Sequence, residues 1–146
     1  EQDWNDVMKV NLTAPFLIQQ AVCKNMLNQS YGKIVNISSI WGTVSIPHRA
    51  SYSASKFGLR GLTAASAAEL AQHNILINTV SPGFTLTDLT KQILGEQGIE
   101  DLTKQIPMRR MAEVDEISRV VLFMCSKLNT YISGQNIIVD GGFVNV

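Results

Sequence analysis

Two cysteines, two histidines, four prolines and a formal net charge of zero leave several kinds of chemistry without material. Cys23 and Cys125 are distant in sequence, and no Cys-x-x-Cys pair exists. With so few histidines the chain offers no metal-ligand spacing, so no metal centre is expected. Both thiols read as small buried hydrophobes in a reducing, cytoplasmic setting rather than as a disulfide. A neutral chain with scattered Lys and Arg has no electrostatic bias toward nucleic acid or an anionic membrane. The pair Arg109–Arg110 is read as solvated surface. No apolar run reaches the length of a membrane span. Residues Glu1 to Asp6 are polar and acidic where a secretory signal needs basic and then apolar residues, so none is expected. A glycine-rich phosphate turn of the Gly-x-Gly-x-x-Gly kind is also missing: Gly58 and Gly61 lie in a helical stretch, and Gly141–Gly142 come near the end.

What is present is a core. Apolar residues make up 45% of the 146 residues and charged residues 16%, a globular composition that fits one domain. Apolar spacing alternates between helical and strand periods along the chain, which is the mark of α/β architecture. A helix is expected over about Asp3–Leu27, capped by Asp3, with Val7, Val10, Ala14, Leu17, Ile18 and Ala21 on its buried face. Pro15 removes the donor that would reach the carbonyl of Asn11, so a perturbation is expected there. Ile34–Ser38 reads as a buried strand, Ser39–Arg49 as a loop, and about Ala50–His73 as a second helix ending at a left-handed Asn74. Ile75–Val80 reads as another buried strand. Ser81–Pro82–Gly83 break it and open a long mobile region to about Arg110. Asp115–Ser126 is a helix with Ile117, Val120, Val121 and Met124 on one face, and Gln135–Val139 a third strand. Strands joined by helices of this length must run parallel. Three strands make half of a doubly wound sheet, so one edge is expected to be unpaired.

Tyr52 and Lys56 stand four positions apart on one helix, so they share a face. A cation close to a tyrosine favours its phenolate form and makes the pair a general acid/base near neutrality. Ser39 follows a parallel strand at its carboxyl end, the edge at which open α/β sheets bind ligands. Pro82–Gly83 follow the next strand at the same edge, and Thr85 and Thr87 add hydroxyls. Trp41 and His48 lie in the loop between Ser39 and Tyr52, where substrate contact and loop packing are both open.

Five stretches then resemble the short-chain dehydrogenase/reductase family: Val10-Asn11-Leu12-Thr13, residues 34–39, Tyr52-Ser53-Ala54-Ser55-Lys56, residues 78–84, and residues 134–142. They occur in family order and spacing, with Ser39 thirteen positions before Tyr52. The resemblance implies the C-terminal half of a Rossmann fold, with residues 1–146 forming a partial dinucleotide-binding domain whose first half, with its Gly-rich turn, is absent. It implies an oxidoreductase that interconverts a ketone and a secondary alcohol with NAD or NADP. Tyr52 would pass the proton, Lys56 would hold the nicotinamide ribose, Ser39 would polarise the carbonyl and Asn11 would hold a relay water. Pro82, Gly83, Thr85 and Thr87 would line the nicotinamide end of the cofactor. The 3-oxoacyl thioester reductase branch looks closest, with sugar or polyol substrates open. It further implies a homo-oligomer through the helices around 3–27 and 50–73. The small residues Ala54, Gly58, Gly61, Ala65 and Ala68 suit such close helix packing. Without the phosphate cradle, the 146 residues alone are expected to be inactive and to bind no cofactor. The competing reading is a non-catalytic association module built on the same two helices.

Overall fold

A computed structural model describes residues 1–145. The elements in chain order are α1 (Gln2–Met8), a π-helical segment (Lys9–Thr13), α2 (Ala14–Gln29), β1 (Gly32–Ile37), α3 (Ala50–Leu70), β2 (Ile75–Pro82), α4 (Asp88–Thr103), α5 (Val114–Cys125) and β3 (Asn136–Val139). Short 3-10 turns occupy Ile40–Gly42, Ala71–His73 and Phe143–Asn145. The three strands form one parallel sheet in the order β1-β2-β3. Gly32 pairs with Ile75 and Ile37 with Val80, while Thr79 pairs with Asn136 and Pro82 with Val139. β1 and β3 are thus the two edges, and β2 is central.

The first helix departs from its sequence pattern in three ways. It begins at Gln2 with Glu1 in the cap position and no side-chain cap, so Asp3 is a first-turn residue rather than the cap. There its carboxylate complements the positive end of the helix dipole. The perturbation expected from Pro15 takes the form of the π-helical segment Lys9–Thr13, with Asn11 at its centre and Pro15 in the first turn of α2. The apolar stripe, however, is not the buried face. Val10, Leu17 and Ile18 are 67%, 54% and 64% exposed, whereas Gln19 and Cys23 are buried. Gln19 is tolerated inside because its amide donates to Ser66 Oγ on α3. Val10 and Ile18 of this stripe, with Val22, instead share a cleft at the edge of β1 with Ile34, Val35 and Ile37. For the same reason β1 is only partly buried, while β2 is buried from Ile75 to Ser81.

Ile75, Ile77 and Val80 are fully inaccessible, and each contributes roughly 1.5–3 kcal/mol by burial. Cys23, Ala67, Leu70, Ile75 and Ile77 form the cluster between the sheet and helices α2 and α3, with Met26 and Ile34 against it. Burial raises the pKa of the Cys23 thiol, and Glu69 adds to the effect. Cys125, by contrast, is exposed; it follows the inward-facing Met124 on α5 and points off that face. Beyond the apolar cluster the α3–sheet contact turns polar. Asn36 Nδ2 donates to Thr63 Oγ1 at 2.8 Å, and Thr63 Oγ1 donates to the carbonyl of Leu59 at 2.8 Å.

Helix α3 passes through the 3-10 turn to Asn74, whose φ of 59° is the expected left-handed stop. β2 runs on through Pro82, two residues beyond the expected end, because a strand terminus tolerates proline. The region read as a long mobile segment holds α4, capped at Thr87 and broken at Gly95, where φ is 62°. A Glu113–Glu116 capping box starts α5. Arg110 binds Glu116 through two bonds of 2.6 and 2.7 Å, which hold the Glu116 carboxyl at about 2.

Candidate active site

The carboxyl ends of β1 and β2 converge with the start of α3. Ser39, two residues past β1, is buried, and its Oγ accepts from the backbone N–H of Trp41 at 3.2 Å. A hydroxyl carries one donor besides its acceptor sites, so the proton of Ser39 stays available. Tyr52 and Lys56 sit in the first two turns of α3. Lys56 Nζ lies 5.5 Å from the centroid of the Tyr52 ring and donates to the carbonyl of Ile37 at 3.0 Å. That bond places the ammonium at the mouth of β1. Burial lowers the pKa of Lys56. The Tyr52 hydroxyl has no hydrogen-bond partner among the described residues.

Asn11 reaches the same helix from the π-helical segment. Its Nδ2 donates to Ser55 Oγ at 3.1 Å, and Ser55 Oγ donates to the carbonyl of Tyr52 at 2.7 Å. Asn11 and Lys56 also line one cleft, of about 390 Å³. Pro82, Thr85 and Thr87 line a second, more apolar cleft of about 610 Å³, together with Ile37 and the α5 residues Val114, Ile117 and Val121. Ile37 belongs to both, so the two clefts adjoin at the end of β1.

Gly83 faces elsewhere. A Cβ there would lie 2.7 Å from Asp140 Cα, and its N–H donates to the Val139 carbonyl at 2.8 Å. Its bareness lets the exits of β2 and β3 approach each other. Thr87 Oγ1 accepts from Thr90 N–H at 3.1 Å and so caps α4 while lining the cleft. The Thr85 carbonyl accepts from Thr90 Oγ1 at 2.9 Å. Trp41 packs edge-on against Phe84 and Phe143, with centroids 6.0 Å apart in each case, which accounts for it by loop packing. His48 is exposed, with φ at 64°. No cluster of three potential metal ligands occurs among the described residues.

Two residues that the sequence reading passed over stand out. Gly42 lets the Ser39 loop touch α3: a Cβ there would lie 2.9 Å from the Lys56 carbonyl oxygen. Arg60 crosses from α3 to the carbonyl of Gly42. Its spacing from Tyr52 and Lys56, four by four, was a visible signal; its backbone partner was not.

The family model described as Enoyl-(Acyl carrier protein) reductase matches residues 1–144. The 3-oxoacyl-[acyl-carrier-protein] reductase of Aquifex aeolicus is 45% identical over 140 residues, covering 96% of this chain and 56% of that protein. Its counterpart in Thermotoga maritima is 41% identical over 144 residues, covering 99% and 58%. Among solved structures, a gluconate 5-dehydrogenase from Burkholderia cenocepacia in complex with NADP and tartrate matches with a TM-score of 0.94 at 33% identity, over 100% of this chain and 58% of that one. An acetoin dehydrogenase from Enterobacter cloacae matches with a TM-score of 0.87 at 35% identity, over 99% and 56%. The chain therefore spans somewhat more than half the length of these relatives.

Proposed function

The chain belongs to the short-chain dehydrogenase/reductase family, and from that premise we propose that it carries the catalytic half of an NAD(P)-dependent oxidoreductase interconverting a ketone and a secondary alcohol. The observation that carries this reading is the Lys56 ammonium beside the Tyr52 ring at the mouth of β1. The residues present fit the nicotinamide end of such a cofactor. Lys56 has two N–H donors left for ribose hydroxyls, and Pro82, Thr85 and Thr87 rim the adjoining cleft. The 146 residues offer no Gly-rich turn for the pyrophosphate. When bound, the nicotinamide supplies or removes the hydride.

The chain's own residues handle the proton. In reduction the Tyr52 hydroxyl gives its proton to the carbonyl oxygen; in oxidation it takes the proton of the alcohol. Ser39 donates its free hydroxyl proton to the same oxygen and polarises the carbonyl. Lys56 holds the ribose and stabilises negative charge on Tyr52. Asn11 holds a water that passes protons toward Lys56, and Ser55 keeps Asn11 fastened to α3. The Aquifex and Thermotoga relatives support a 3-oxoacyl thioester as substrate; the gluconate and acetoin dehydrogenases keep polyols and hydroxyketones in play. Free cysteines support a reducing compartment, and no described helix is long and apolar enough to cross a membrane.

Titrating the 146-residue chain with NADH and NADPH, followed by tryptophan fluorescence, tests the division of labour. No saturable change is expected below roughly millimolar cofactor. A chimera that adds the N-terminal portion of the Aquifex aeolicus relative is expected to bind cofactor and turn over. Micromolar binding by the chain alone would show that the cradle is supplied within these residues; a folded, cofactor-binding chimera without turnover would sink the catalytic reading.

Self-association is supported by a separate observation. Phe16 and Leu27 on α2 and Ala65 and Ala68 on α3 are exposed on the helix pair, and nothing lies within 4 Å of where a Gly61 Cβ would stand. We propose a homo-oligomer through this face, which also serves the reading of the chain as an association module. Sedimentation velocity is expected to show a dimer or larger species that Phe16→Glu dissociates. A monomer at every concentration removes this part.

A further inference from the structure

Arg60 joins the two pieces of the site that sequence places apart. It lies on α3, one turn beyond Lys56 and two beyond Tyr52, on their face. Its Nη1 donates to the carbonyl of Gly42 and lies 3.5 Å from Thr43 Oγ1. Gly42 closes the 3-10 turn that Ser39 opens, and its N–H donates to the Ser39 carbonyl at 2.9 Å. The guanidinium therefore grips the turn whose first hydroxyl is that of Ser39. Two further contacts press the same loop onto α3: Ser38 Oγ donates to the Lys56 carbonyl at 3.1 Å, and Gly42 approaches that carbonyl without a side chain between them. On its far side the loop is tied to the sheet. Asn136 Nδ2 donates to Thr43 Oγ1 at 3.3 Å, and Asn136 Oδ1 accepts from Ser81 Oγ at 2.6 Å.

A bland role is available to Arg60, since its guanidinium lies 5.8 Å from the Phe57 ring centroid and shields it. Shielding alone does not account for its burial. Arg60 Nε is buried without a partner among the described residues, a cost that a side chain lying out on Phe57 would not incur. The side chain is drawn inward by its far end, toward the loop.

We propose that Arg60 is a positioning residue that locks the Ser39 loop to α3, so that the hydroxyls of Ser39 and Tyr52 address one substrate oxygen. This rests on the catalytic reading given above. Arg60 touches neither substrate nor cofactor; it acts through the Gly42 carbonyl. Small displacements of a donor are enough to matter, because a shift near 1 Å costs up to about a hundredfold in rate.

The test has two arms. In the 146-residue chain, hydrogen exchange is compared for wild type, Arg60→Gln and Arg60→Lys. Faster exchange is expected at Gly42, Thr43 and Val44 in Arg60→Gln, with β2 unchanged and Arg60→Lys close to wild type. In the chimera, Arg60→Gln is expected to lower kcat about tenfold to a hundredfold with the cofactor KM unchanged, and Arg60→Lys to recover most of the loss. Unchanged loop exchange in Arg60→Gln overturns the tether. A loosened loop with unaltered kcat overturns the positioning role. A cofactor-binding wild-type chimera that does not turn over strikes the catalytic reading instead, and the exchange arm still decides whether Arg60 holds the loop. If Arg60→Gln fails to fold, Arg60→Lys decides alone: wild-type exchange and kcat support the tether, and a loosened loop or a lost kcat counts against it.

Discussion

Tyr52→Phe, made in the chimera with the Aquifex aeolicus N-terminal portion, is expected to lower kcat by about 10²- to 10⁴-fold, the span over which a positioned general acid or base acts. The change deletes one oxygen. That oxygen has no hydrogen-bond partner among the described residues, so the fold loses no bond with it. The ring stays, and with it the face over which Lys56 Nζ lies at 5.5 Å. Cofactor affinity, which this reading assigns to Lys56 and the Thr85–Thr87 rim, is expected to remain within a few fold. Steady-state turnover beside a cofactor titration separates the two effects. Retention of more than a tenth of wild-type kcat would remove Tyr52 from the proton path and leave Ser39 or water as the donor.

Gly83→Ala is expected to destabilise the chain by about 1–3 kcal/mol, the usual cost of forcing atoms into a filled space. The added methyl would meet Asp140 Cα and Cβ, each at 2.7 Å. A flexible side chain could turn aside, but a backbone atom cannot. Asp140 is itself pinned, since its two carboxylate oxygens accept from the N–H groups of Gly142 at 2.9 Å and Val144 at 2.8 Å. Relief requires the ends of β2 and β3 to part, which strains the Gly83–Val139 hydrogen bond. Thermal denaturation is expected to show a midpoint lower by several degrees. An unchanged midpoint would mean that the two strand ends already stand apart in solution.

The parts legible in the sequence are those set by local geometry. Tyr52 and Lys56 share a face because a helix turn is four residues long, whatever surrounds it. Pro15 lacks a donor in any context, so the disturbance at Asn11 could be read from one residue, though not its π-helical form. Asn74 stops a helix by its own backbone preference. The parts that failed depend on what lies opposite. Periodicity marks Val10, Leu17 and Ile18 as apolar but does not say what covers them; all three are exposed, and Val10 and Ile18 line the cleft at the edge of β1. Gln19 is missing from the face read as buried because its partner, Ser66, lies forty-seven positions away. Ser81–Pro82–Gly83 opened what read as a long mobile region, yet α4 forms within it, accommodates Gly98 and merely breaks at Gly95. Thr87 was read as a ligand hydroxyl; the structure shows it capping α4 while lining the cleft, a cap that the sequence reading did not include. The hold of Arg60 on a backbone carbonyl leaves no mark in the residue that receives it.

The polar seam beneath α3 makes the placement of that helix a matter of discrete steps. Two apolar surfaces can slip past each other at little cost, because dispersion contacts are exchanged nearly one for one. Asn36 with Thr63, and Gln19 with Ser66, admit no such exchange. A slide of one residue, about 1.5 Å along the axis, would break both pairs at once and leave the buried Gln19 amide without Ser66. The helix therefore has one seat and no neighbouring one. Substitutions in the apolar cluster around Leu70 and Ile77 can soften the domain while leaving the separation of Tyr52 from the end of β1 as it was. In this chain, stability and alignment are drawn from different contacts of the same helix.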